Sequence, residues 1–203
     1  MTLDFMVTLF RLLYTYQTIG REIVKEEILD RRISHLRAGD SDRWEASVDS
    51  RPKEFQIVNT EIKDIVFDYF NIITKEYELA FEKWKGSSEY TERTNKIKLE
   101  TEQEYVSNKY MELPAGLTKE KTEDIIKRKQ HIVNQIMDRA MKETGVNSQG
   151  QILLDQRQLI LEIAKFDDSL FMEEGYRKEE IEKAIEVYKL TDREKDNAQA
   201  EEE

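Results

Sequence analysis

Pro52-Lys-Glu-Phe55-Gln-Ile-Val58-Asn-Thr-Glu-Ile62-Lys-Asp-Ile65-Val-Phe-Asp-Tyr69-Phe-Asn-Ile72 is the stretch on which the fold turns. Phe55, Val58, Ile62, Ile65, Tyr69 and Ile72 recur at 3-4-3-4-3 spacing, the seam of a helix that packs along its length. Ile65-Val-Phe-Asp-Tyr-Phe70 also has strand propensity, but the helical period persists on both sides of it, so the run is read as helix. The stripe then slips to Ile73, Tyr77, Ala80 and Trp84, a change of register that suits a bundle better than an isolated coiled coil. One long helix is therefore expected over about 52–85, with Pro52 in its first turn after Ser50 as cap. Gly86-Ser87-Ser88 ends it.

Upstream, 3–38 reads as helix. Its first half is apolar nearly all round, through Leu3, Phe5, Met6, Val7, Leu9, Phe10, Leu12, Leu13, Tyr14 and Tyr16, as in a helix buried on several faces. Gly20 is expected to bend or divide it. Ala38-Gly39-Asp40-Ser41 is a stop and a start, and Asp42 with Glu45 forms a capping-box-like pair opening a short helix over Trp44 and Val48. Downstream, 89–112 is polar and weakly periodic, anchored sparsely by Tyr90, Ile97, Tyr105, Val106 and Met111. Leu113-Pro114-Ala115-Gly116 is the best boundary between halves. Three helices follow: one capped by Thr118 and carrying Ile125 to Met141, one from Ile152 to Leu170 ending at Gly175, and one with Ile181, Ala184, Ile185 and Tyr188 on one face. The expected organisation is an N-terminal helical region over 1–113, a C-terminal helical region over 117–190 and an acidic tail over 191–203. The fold class is all-α, an elongated bundle of five to seven amphipathic helices.

Composition agrees. The 203 residues include 7 Gly and 2 Pro, too few turn residues for a many-stranded sheet. Leu, Ile, Val and Phe supply 52 positions, enough for a core although 37% of the chain is charged. The net charge of −11 argues against nucleic acid, which requires a basic face. The densest cationic run, Lys127-Arg128-Lys129, is interleaved with Glu123 and Asp124 and reads as a solvated helix face. The N-terminus lacks the positive start and unbroken apolar run of a secretory signal, because Asp4 and Arg11 interrupt it. No stretch approaches the ~20 apolar residues of a membrane span, so the expected compartment is the cytoplasm.

No catalytic constellation emerges. Cys is absent, which removes thiolate zinc sites and Cys nucleophiles. His35 and His131 follow Arg32 and Arg128 by three, where a di-iron bundle would carry Glu. Phosphate loops, dinucleotide-binding glycines and nucleophile elbows are missing. Gly145-Val-Asn-Ser-Gln-Gly150-Gln-Ile152-Leu-Leu-Asp-Gln156 can be laid on a calcium loop, with Gly150 at the sharp turn. Gly145 and Gln156 then stand at the first and twelfth ligand positions, without the carboxylates that bind Ca²⁺. No enzyme activity, cofactor or metal is expected.

Two regions could meet partners. The aromatic set Phe5, Phe10, Tyr14 and Tyr16 is either core or the face of a docking helix. The second region is Phe171-Met-Glu-Glu174-Gly175-Tyr176, followed by Ile181, Ala184 and Ile185. It resembles the first loop and second helix of ubiquitin-associated domains, whose Met-Gly-aromatic loop precedes an apolar residue and an Ala-Leu pair at the same spacing. Glu174 stands where those domains carry Met, and no third apolar helix follows before the tail. The resemblance implies an adaptor for ubiquitin or a similar small domain, set against a structural corner. The candidate contact residues are therefore Phe5, Phe10, Tyr14, Gly175 and Tyr176. The expected function is a non-catalytic scaffold subunit in a multi-subunit protein assembly, of the kind found in cytoskeletal or ciliary structures. The ubiquitin adaptor is the alternative.

Overall fold

The computed structural model describes residues 1–110, 112–144 and 155–190. Met111, 145–154 of the calcium-loop-like segment and the acidic tail at 191–203 lie outside the described residues. Among the described residues the fold is all-α. Seven α-helices run in the order α1 (Leu3–Arg37), α2 (Ser41–Tyr69), α3 (Thr74–Trp84), α4 (Ser88–Tyr105), α5 (Lys119–Thr144), α6 (Gln156–Glu174) and α7 (Lys178–Tyr188), with a 3₁₀ turn at Ser107–Tyr110. The chain separates into two compact units, Met1–Lys109 and the part from Tyr110 onward.

In the first unit, α1 is continuous through Gly20. A Cβ at Gly20 would stand 2.7 Å from Val58 Cγ1 and 2.8 Å from Ile62 Cδ1. The glycine thus lets α2 approach α1 closely; it is a contact point, and it does not divide the helix. α1 ends in a Schellman turn: Gly39, at φ +69°, is left-handed, and the Asp40 and Gly39 amides donate to the His35 and Leu36 carbonyls. Asp40 then caps α2 by accepting from the Arg43 amide at 3.1 Å. The cap is Asp40, and the Asp42–Glu45 box expected from sequence does not form that start.

The single helix expected over 52–85 is two. α2 begins eleven residues before Pro52 and runs through it, at the cost of the one backbone bond that proline cannot donate. Ser50 is consequently interior and donates to the Ser47 carbonyl and the Glu54 carboxylate. α2 stops at Asn71, which is left-handed at φ +51°. The Ile72 amide reaches the Phe67 carbonyl at 2.8 Å and the Asn71 amide the Asp68 carbonyl at 3.1 Å, a second Schellman turn. α3 restarts at Thr74 with Ile73 before it.

The expected seam of α2 also drifts. An α-helix turns by 3.6 residues, so a 3.5-residue repeat rotates about 20° per heptad. Phe55, Val58 and Ile62 are half-buried, but the buried stripe then passes to Val66 and Phe67. Ile65 is left 68% and Tyr69 81% exposed.

The first half of α1 is covered on two sides, as its all-round apolar character requires. Leu9 and Leu13 pack with Val66 and Phe67 of α2. Met6 and Val7 pack with Ala80 of α3 and with Tyr90 and Ile97 of α4. The inward stripe of α4 is Tyr90, Thr94, Ile97 and Thr101. Threonines at alternate positions make this stripe look weak in sequence. They are accommodated because Thr94 donates to the Tyr90 carbonyl at 2.8 Å and Thr101 meets Thr15 at 3.4 Å.

The second unit closes on Leu117, Ile125, Phe166, Leu170, Ile181 and Ala184, with Leu113, Ile132, Tyr176, Ile185 and Tyr188 packed around them. Thr118 accepts from the Lys121 amide at the start of α5. Gly175 is left-handed at φ +80° and ends α6. Glu180 accepts from the Arg177 amide at 2.7 Å to start α7.

Candidate functional site

Of the five expected contact residues, Phe10 and Tyr14 are engaged inside the first unit. Six aromatic rings form a chain across all four of its helices. Tyr14 stacks on Phe10 at 5.6 Å, Phe10 meets Tyr90 edge-on at 6.4 Å, and Tyr90 meets Phe81 at 6.4 Å. Phe81 stacks on Tyr77 at 6.2 Å, and Tyr77 tilts against Phe67 at 5.0 Å. These separations lie in the range where ring quadrupoles attract. Burial pushes the Tyr90 phenol up to about 12 and raises that of Tyr77, so both stay neutral in the core. Tyr14 is also raised, first by burial and then by the Glu102 carboxylate that accepts a hydrogen bond from its hydroxyl at 2.6 Å.

Gly175 and Tyr176 serve the corner between α6 and α7. The Tyr176 hydroxyl lies over Gly116, where a Cβ would meet it at 2.5 Å, and its ring packs on the core. Tyr188 donates to the Leu117 carbonyl at 3.0 Å. Glu174, the residue that departs from the ubiquitin-associated pattern, receives both Lys121 and Arg128 of α5. Burial alone would raise its carboxyl, but these two hydrogen bonds and charges outweigh it and hold the group below the usual range. Arg128 also lies over the Phe166 ring at 5.6 Å. The tip of α6 is thus tied to α5.

Phe5 behaves differently. It packs on the Leu9 cluster yet also borders an open cleft of about 380 Å³, lined by Met1, Thr2, Phe5, Phe70, Asn71, Ile72 and Glu76. Beside the cleft, the exposed Phe70 ring meets the exposed Tyr69 ring edge-on at 5.0 Å. One turn earlier on α2 stands Ile65. Ile65, Tyr69, Phe70 and the cleft form one continuous apolar surface at the α2–α3 corner.

Electrostatics define its border. At 100° per residue, Ile65 and Tyr69 lie between the buried side of α2, marked by Ile62 and Val66, and a row formed by Glu61, Asp64 and Asp68. All three carboxylates are exposed, and none forms an ion pair among the described residues. Lys63 is on the far side of α2, its ammonium 5.1 Å over the Phe67 ring. Lys75 stands in the first turn of α3.

Sequence reasoning missed Ile65, Tyr69 and Phe70 because it assigned Ile65 and Tyr69 to the seam. The signal that finds them is the left-handed propensity of Asn71, which ends the helix there, combined with the 3.6-residue drift. No group of three or more carboxylates and imidazoles among the described residues could hold a metal ion, and no described helix is long and apolar enough to cross a membrane. Neither a protein-family model, nor a curated protein, nor a solved structure matches this chain.

Proposed function

We propose that the protein is a non-catalytic helical subunit that holds other proteins within a larger assembly, in the cytoplasm and of a cytoskeletal or ciliary kind. One observation carries this reading: the continuous apolar surface at the α2–α3 corner, where Ile65, Tyr69 and Phe70 stand open although the neighbouring Phe67 is buried. Exposed, contiguous apolar area rimmed by charge is the mark of a protein-binding face. The corner at Gly175 and Tyr176 is read as structural, since Tyr176 is taken up by Gly116 and the core. In this reading it is not a ubiquitin contact.

The test is the size of the full chain in extract from its native cells. Elution well above its 24.2 kDa mass, in a form that persists through a second separation, supports an assembly subunit. Elution as the free chain overturns the reading.

A further inference from the structure

We infer that the α2–α3 corner binds a basic amphipathic helix of another protein, laid along the Ile65–Tyr69 stripe with one large apolar anchor in the cleft beside Phe70. The inference rests on the interaction reading above and names the chemistry of the partner. Three observations carry it.

The first is shape. Ile65 and Tyr69 are four residues apart on one helix, so they form a ridge of the kind that packs into the groove of a second helix. The ridge runs into a cleft of about 380 Å³ whose lining includes Met1, Phe5, Phe70 and Ile72, room for a Leu- or Phe-sized side chain. The described residues contain no strand, so strand addition has no edge to use here, and helix-in-groove docking is the mode that fits.

The second is charge. Glu61, Asp64 and Asp68 flank the ridge along the side away from α1, exposed and without ion-pair partners among the described residues. Glu76 adds a fourth carboxylate at the cleft. Cations on the partner would meet this row, which raises the encounter rate and sets orientation.

The third observation weighs against the simpler occupant. A second copy of the chain would bring its own acidic row against this one, and the chain carries −11 overall. A symmetric dimer through this face is therefore opposed by like charge. The same row repels phosphate-rich surfaces.

The experiment uses the purified full chain and a defined probe: an amidated 18-residue helical peptide with Leu on one face and Lys on the other. Titration at physiological ionic strength is followed by ¹⁵N resonances of the protein. Saturable shifts centred on 61–76, with a Kd below roughly 100 μM, are expected. Glu61→Gln, Asp64→Asn and Asp68→Asn together should weaken binding at least about ten-fold, and Tyr69→Ser likewise. A control triple at Asp30, Glu78 and Glu92 removes equal charge elsewhere and should change it less than about two-fold. These positions are all exposed, so melting temperatures are expected to hold and to certify folding.

No saturable shifts, equal affinity for a scrambled peptide, or equal weakening by both triples would overturn the inference. So would a dimer of the protein alone that Tyr69→Ser dissolves, which would assign the face to a second copy. The two proposals fail separately. If the wild-type chain travels in an assembly and the Tyr69→Ser chain travels in it unchanged, the interaction reading stands and this surface is wrong. If the wild-type chain is free, the interaction reading falls.

Discussion

The first half of α1 and the last turns of α2 carry much the same apolar side chains and meet opposite fates. Met6, Leu9 and Leu13 are buried from two sides, by α2 and by the α3–α4 pair. Ile65 and Tyr69, no less apolar, are open. The difference is angular. The first half of α1 has apolar residues around its whole circumference and neighbours on two sides of it. α2 packs against α1 on one side only, so a 40° drift over two heptads is enough to carry a side chain from seam to surface. Hydrophobicity brings a residue to a helix, and coverage decides whether it becomes core or contact.

The widest gap between the two regions should appear in truncation to alanine. Met6→Ala and Leu9→Ala each leave a cavity in a covered helix and should cost about 3 kcal/mol. Ile65→Ala and Tyr69→Ala remove side chains already in water and should change stability by less than about 0.5 kcal/mol. Urea denaturation of the four variants measures this directly. Equal losses at all four positions would mean that the α2 corner is covered and the comparison is false.

Gly20 tests how closely α1 and α2 approach. A side chain there runs into Val58, which is stiff at χ1, and into Ile62. Gly20→Val should cost about 2 kcal/mol through overpacking, although glycine is the poorer helix former. Gly86 is the internal reference, because a Cβ there meets nothing within 4 Å. Gly86→Ala should be neutral. Calorimetric melting of both variants would expose the reverse order, which a bending role for Gly20 would produce.

The second unit is held partly by charge, and this sets a pH dependence that the aromatic chain of the first unit does not share. The Glu174 carboxyl is lowered from 4.5 in the folded chain. A lowered carboxyl stabilises above its unfolded value and loses that contribution as pH falls through the folded one. Glu174→Gln should therefore cost about 1 kcal/mol at neutral pH, with the gap to wild type closing as pH falls below 4.5 and through the lowered folded value. Gly175→Ala, strained by φ +80° with nothing near the added Cβ, should cost a similar ~1 kcal/mol at every pH. Paired denaturation curves at pH 7 and pH 3.5 separate the two, and a pH-independent Glu174 effect would remove the ion pairs from the account.

Much of this arrangement can be read from the residues. The helical class, the double burial of α1, the cap at Thr118 and the turns at Gly39 and Gly175 follow from periodicity and from glycine. What escaped reading shares one cause: side chains whose type misstates their position. Asn71 ends a helix without being glycine, and Pro52 sits inside one. Thr94 and Thr101 are polar yet face inward. The candidate contacts escaped for the same reason. Phe10 and Tyr14 read as core or as a docking face alike until Tyr90, seventy-six residues beyond Tyr14, is placed against Phe10. Tyr69 looks like core until the turn after it is seen.

Asn71 offers the finest test of why the α2 corner stays open. It sits at φ +51°, a region where a Cβ is crowded by the carbonyl and which asparagine tolerates better than other non-glycine residues. The turn is held by the Ile72 and Asn71 amides on Phe67 and Asp68, bonds that do not involve the asparagine side chain. If backbone conformation is the whole requirement, Asn71→Gly relieves the remaining strain and should stabilise the unit by about 0.5 kcal/mol, net of the added freedom of the unfolded chain. Asn71→Ala keeps the Cβ without asparagine's tolerance and should lose about 1 kcal/mol. Helicity by circular dichroism should be the same in both, because α2 and α3 each stop at their own ends. A gain of helical signal in Asn71→Ala would mean that the two helices have fused across 70–73, as the seam alone suggests. Tyr69 and Phe70 would then lie on the side of one long rod, and the corner that carries the proposed binding face would be gone.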